Sequence, residues 1–295
     1  MAMNASPHLR TLKWSAWLGW QIESNWADLR LFFLYLVVKP ITGSLMLVCM
    51  YYAAKSASPT RVPSEFLPYV YISNACYGLV GTVMFGMSYV IVSDRENYGM
   101  LKYVFISPAR FQTYMVGRGL ARGLEGLVGG GVTIIFGLFV FDPVRSAFTG
   151  GIDVLWLAVF LAIGSVMLWS CGMILGSAVL NMHRNGMFMS EGIAGVVYFL
   201  SGVVFPISML PNWLQVVAMS LPTTYWLEGM RRSLTGMPNA DSPLGKSPFT
   251  EWSNWELAGA LTLSTAVLFA FSQWFYHRNL QKAWRNGKIE ETTGV

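Results

Sequence analysis

Charge is scarce in this chain. Only 12% of its residues are Asp, Glu, Lys or Arg, where soluble domains carry about 25%, so it cannot clothe a water-exposed surface of ordinary composition. Cysteine is rare as well. Cys49, Cys76 and Cys171 each fall inside an apolar run, with no CxxC or metal-ligand spacing, which argues against a disulfide framework or a thiolate metal centre. The histidines His8, His183 and His277 lie far apart, in or beside loops. No nucleophile–base pair and no carboxylate couple shares a segment, so catalytic residues, cofactors and metals are all expected to be absent. Internal repeats, heptads and low-complexity tracts are missing too.

What the chain has instead is apolar bulk, at 54% hydrophobic and 15% aromatic residues, with a mean hydropathy of +0.46. Runs almost free of charge recur at about 31–54, 67–92, 120–141, 154–179, 187–205 and 255–276, each close to the ~20 residues a helix needs to cross a bilayer. The expected fold class is all-α, a polytopic membrane protein of six transmembrane helices in a single transmembrane domain over residues 1–295. Residues 1–30 form its N-terminal part, 31–276 the bundle and 277–295 a basic tail. Residues 9–30 place Leu18, Ile22, Trp26 and Leu29 at helical spacing beside Trp14 and Trp17, the pattern of a helix lying at headgroup level. The alternative is a helix packed on protein. No apolar core directly follows the first basic residues, so no cleavable signal peptide is expected. Glycines at 119, 123, 126 and 130 would let another helix approach the third run closely.

Lysines and arginines concentrate at both ends and between alternate runs, leaving only Lys55, Arg61, Arg145, Arg231, Arg232 and Lys246 for the other side. This bias puts both termini in the cytoplasm. The net charge of +5 is spread over loops between apolar runs, which favours anionic lipid headgroups over nucleic acid as partner.

Two polar interruptions organise the rest. In residues 94–123, Glu96 to Phe105 can form a short helix with Leu101, Val104 and Phe105 on one face. Ser107-Pro108 would end it, because the residue before proline is pushed out of the α region, and a second helix can begin at Phe111 and run through Arg118 into the next span. In residues 205–222, FPISMLPNWLQVVAMSLP, the part from Asn212 to Leu221 would be roughly 15 Å long as a helix, half of a ~30 Å hydrocarbon core. Pro206, Pro211 and Pro222 prevent one continuous helix. A re-entrant hairpin on the outer side is expected, since a full crossing would carry Arg278, Lys282, Arg285 and Lys288 outside.

The stretch RENYGMLKYVFISPARFQTYMVGRGLA resembles the cytoplasmic loop of the type-2 permeases of ABC exporters, at Arg95-Glu96, Gly99, Leu101, Ser107-Pro108 and Gly117-Arg118. It departs at Lys102, where the family often has an acid. Residues 201–234 are similar to the family's later segment, with Ser201-Gly202, Phe205-Pro206, Leu210-Pro211, Trp213, Pro222-x-x-Tyr225 and a short helix ending in arginine. The resemblance implies a coupling helix that docks on an ATPase, with Arg95, Glu96, Gly99, Leu101, Val104, Phe105 and Pro108 as ATPase-coupling residues. It implies an outer gate at Phe205, Pro206, Pro211, Trp213, Pro222 and Tyr225. It further implies a homodimer in a bacterial plasma or inner membrane, served by two copies of a separate ABC ATPase subunit, with the path between the copies near the first, second and fifth spans. The implied cargo is hydrophobic, lipid-like or drug-like, with lipo-oligosaccharide or polysaccharide as further options.

Residues 240–247, ADSPLGKS, satisfy a relaxed phosphate-loop pattern, but no strand precedes them and Pro243 and Pro248 flank the turn, so ATP binding is not expected there. Glu191, about a turn into the fifth run, is a possible intramembrane charge or an interfacial acid paired with Arg184. Glu125 can meet Arg122 or Arg118 along one helix face. An ion-driven secondary transporter would need several acids mid-span, and a non-transporting assembly protein would need no ATPase partner; these are the rival readings.

Overall fold

An apolar solvent offers nothing to backbone N–H and C=O groups, so a chain of this composition must close its hydrogen bonds within helices. The computed structural model describes residues 7–25, 28–58, 62–182, 186–236 and 247–287, and among them the regular structure is helical, without strands. In chain order the α-helices are α1 Pro7–Asn25, α2 Leu29–Ala57, α3 Phe66–Val92, α4 Leu101–Ile106, α5 Phe111–Val140, α6 Asp142–Ala147, α7 Val154–Val179, α8 Gly186–Leu200, α9 Asn212–Ser220, α10 Pro222–Thr235 and α11 Asn254–Arg285. Among the described residues, five stretches are long and apolar enough to cross a bilayer: Arg30–Ala57, Phe66–Asn97, Phe111–Val140, Val154–Val179 and Asn254–Arg285.

The fifth expected run is cut short. α8 has 15 residues, about 22 Å, because Ser201 onward turns, Gly202 takes φ +71° and Pro206 follows. The second helix expected from Phe111 through Arg118 into the third span is one element, α5, so the third span begins ahead of its apolar run and most of residues 94–123 is helical. The helix anticipated over Glu96–Phe105 is instead two pieces. α3 runs on through a π-helical turn, Ser93–Asn97, and α4 starts at Leu101. Gly99 lies between them at φ +58°, a left-handed conformation that glycine adopts without a Cβ clash.

α3 is the hub of the bundle. It packs against α2, α5, α7 and α8, with Val80, Met87 and Ile91 fully buried. Its approach to α5 is close because α5 offers glycine: a Cβ at Gly130 would stand 2.9 Å from the Ala75 carbonyl oxygen. α1 lies lengthwise along α5, pairing Ser15 with Gly117, Gly19 with Ala121 and Glu23 with Arg122 in the same chain direction. Packing on protein thus claims one face of α1, while Trp14 and Trp17 on the other remain 62% and 55% exposed.

α10 is the least expected element, because nearly all of it is buried. Its Trp226 indole packs where α7 has Gly164, and donates to the Phe160 carbonyl at 3.0 Å, while the Asp153 amide donates to Ser233 O at 2.8 Å. Trp226 therefore lies about 10 Å deeper along α7 than Ser233 does.

Candidate functional site

Three polar regions lie along α3. At its C-terminal end the π-turn turns Asp94 inward, where it is fully buried. Asp94 Oδ2 accepts from Tyr114 OH at 2.6 Å, and Oδ1 pairs with Arg118 Nη2 at 3.2 Å. Both partners belong to α5. The Asp94 carbonyl also accepts from the Met100 amide at 2.8 Å, one residue before α4. Arg95 is 5% exposed, pairs with Glu96 at 3.1 Å, and donates to Met182 O, beyond the end of α7, at 3.2 Å.

The predicted coupling residues divide between the two faces of this corner. Arg95 and Leu101 are buried, and Val104 and Phe105 are partly buried against the core, with Phe105 stacked 4.5 Å from Phe111. Glu96, Gly99 and Pro108 stand at the surface. The outward face consists of Lys102 with Tyr98, Tyr103 and Ile106, the last three 50%, 61% and 77% exposed. Within α4 itself the sequence reading named only Leu101, Val104 and Phe105 on the inward face, and not Tyr103 and Ile106, although the same helical spacing defines both faces. It also passed over Asp94, Tyr114 and Arg118 as a unit, since a pair twenty-four positions apart leaves no local signal.

From this corner a groove of about 660 Å³ runs between α2, α3, α5 and α8, with the end of α1 at its side. Along α3 its lining extends from Tyr98 to Asn74, roughly 35 Å. Charge collects near one level: Arg122 pairs with Glu23 of α1 at 2.5 Å and with Glu125 at 3.0 Å, and its guanidinium stands 5.6 Å from the Tyr89 ring centre. Burial pushes the Glu23 carboxyl above its ordinary range, with Arg122 opposing that rise. Deeper in, Gly43, Gly78 and Gly81 face open space. The groove stops where Asn74 donates to Ser44 Oγ at 2.9 Å and accepts from Tyr198 OH at 3.1 Å, while Tyr77 OH donates to Ala194 O. Glu191 lines the groove from α8 and makes no ion pair among the described residues. Arg184, its expected partner, lies outside the described residues, as does most of the 240–247 loop.

The third region lies at the N-terminal end of α3. Glu228 accepts from Arg231 at 2.7 Å and from Arg232 at 3.0 Å, all three side chains being 1–5% exposed. Arg231 also donates to Ser73 Oγ at 2.8 Å and Gly202 O at 3.1 Å, and lies over the Tyr69 ring at 4.3 Å. Arg232 reaches the carbonyls of Trp252 and Phe249 at 2.6 and 2.5 Å. The sequence places both arginines on the outer side, at the end of a short helix, and does not single out Glu228. They are buried members of one ion cluster, and the signal was an acid followed by bases three and four positions on. Of the predicted gate residues, Pro206 and Pro222 are buried, Phe205 packs 5.2 Å from Phe199, and Tyr225 packs 5.4 Å from Phe249. Pro211 and Trp213 are exposed, Trp213 by 68%.

A family model described as ABC-2 type transporter matches residues 13–235, from within α1 to the end of α10. No curated protein matches the chain.

Proposed function

The chain belongs to the ABC-2 type transporter family, a multi-pass membrane protein and the permease subunit of an ABC transporter, and we propose that it works as an ATP-driven exporter of amphiphilic, lipid-like molecules. The carrying observation is the groove. It opens beside the corner that bears α4, is charged at the level of Glu23 and Arg122, and becomes small-residue-lined toward Gly43 and Gly78 before hydrogen bonds close it at Asn74. That order, polar then apolar, is the order met by a molecule standing in one leaflet. In this reading the corner is cytoplasmic, as are both termini, in agreement with the positive-inside bias. The outward face of Tyr98, Lys102, Tyr103 and Ile106 docks on a separate ABC ATPase, and buried Leu101 anchors α4 to the bundle. Two copies of the chain associate, each with its own ATPase, and the two grooves meet. The segment 201–235 forms the outer gate as a re-entrant hairpin, with α10 as its inner leg; this accounts for α8 ending short and for α10 being buried. Hydrolysis belongs to the ATPase, and the permease moves between an inward groove and an outward one.

The test is to co-purify the chain with its ATPase and reconstitute both in vesicles with a short-chain fluorescent phospholipid as probe. ATP should shift the fraction of probe reachable by an impermeant quencher. No shift with an active ATPase present would count against a lipid-like cargo, and no associated ATPase would count against the exporter itself.

A further inference from the structure

We propose that Asp94 is a positioning residue that clamps the α4 corner to α5, so that movement imposed on α4 reaches the groove. The inference rests on the reading of α4 as the ATPase-docking element. Three links converge on Asp94: its carbonyl accepts from Met100 at the threshold of α4, and its carboxylate takes Tyr114 OH at 2.6 Å and Arg118 Nη2 at 3.2 Å. The side chains of Asp94 and Arg118 are 0% and 1% exposed, so solvent does not weaken the pair and little room remains for a second arrangement. Arg118 lies one helical turn before Arg122 on α5, and Arg122 holds Glu23 and Glu125 at the groove. The clamp is therefore continuous from α4, through the π-turn, to the charged level of the groove. π-turns of this kind recur at functional positions. Leu101 and Phe105 supply packing at the same corner, but apolar contacts can slide, whereas a buried ion pair with the directed hydrogen bond from Tyr114 holds one register.

The test uses the chain together with the ATPase it co-purifies with, in vesicles, with Cys49, Cys76 and Cys171 replaced and Thr82→Cys as a groove reporter. The readout is the rate of thiol labelling before and after trapping the ATPase with ATP and orthovanadate. With the clamp intact, trapping should change the labelling rate about fivefold or more. In Asp94→Asn, trapping should still occur but the labelling rate should change less than about twofold. Arg118→Lys, which keeps the charge, should retain more of the response than Arg118→Gln at equal thermal stability. A full response in Asp94→Asn overturns the proposal. If that variant fails to assemble, Tyr114→Phe decides, because it removes one hydrogen bond and keeps the ion pair. A response cut to about half supports the clamp, and an unchanged one overturns it. Absence of any response with the clamp intact, in a complex that traps nucleotide, overturns the docking reading and the clamp with it.

Discussion

Beside each end of α3 lies a buried acid bound to arginine, Asp94 in the turn that follows it and Glu228 on α10, yet the two are built differently. At the corner, Asp94 meets one arginine and one tyrosine, both on α5, and the neighbouring α4 is six residues long with half its surface outward. At the other end, Glu228 meets two arginines, whose Nη groups also reach Ser73, Gly202, Phe249 and Trp252. The first arrangement joins two helices at a point where force can enter. The second ties α10, α3, the turn after α8 and the turn before α11 into one body. A buried acid is thus a hinge pin or a rivet according to how many elements its partners belong to.

The largest expected effect tests the rivet. Glu228→Gln leaves two buried guanidiniums facing each other, which should cost about 3–5 kcal/mol and appear as a strong drop in the unfolding temperature of the detergent-solubilised protein. Asp94→Asn should cost less, about 1–3 kcal/mol, since only one cation loses its partner; equal losses in the same assay would erase the distinction. Tyr69→Phe removes a 2.9 Å hydrogen bond to Gly202 O, which Arg231 still satisfies, so about 0.5–1.5 kcal/mol is expected. On the outward face of α4, Tyr103→Ala with Ile106→Ser should leave the unfolding temperature unchanged while weakening ATPase association about tenfold or more, as measured by co-purification across a concentration series.

The smallest effect is a titration. Burial raises the Glu23 carboxyl above its usual value of 4.5, so the folded state holds this proton more tightly than the unfolded one. Its contribution to stability is complete below 4.5 and is lost as pH rises through the raised value. Glu23→Gln should remove that one component from the stability–pH curve and leave the curve otherwise in place. A curve of unchanged shape would show that Glu23 does not titrate in this way.

Much of the scaffold was legible in the sequence because hydropathy is a local property. The run 154–179 coincides with α7, and Ser107-Pro108 marks the break between α4 and α5. The helix start at Phe111 was legible too, since it follows that break and runs through Arg118 into the third span, as α5 does; only the apolar run, counted from about 120, understated its length. The polar clusters were not legible in this way. Arg231 and Arg232 enter the sequence reading only as outer-side charges, and only the packing of α7, α11 and α3 around α10 shows that water is excluded from them. Whether a charge is buried depends on what the rest of the chain does, and no spacing rule carries that information.

The open positions of Gly43, Gly78 and Gly81 make the groove adjustable in single-carbon steps. Each can take an alanine without touching a neighbour, so seven combinations form a graded series of bores in an otherwise constant scaffold. Measured against cargo analogues of increasing girth, such a series would serve as a calibrated sieve. It would return the width of the natural cargo before its identity is known.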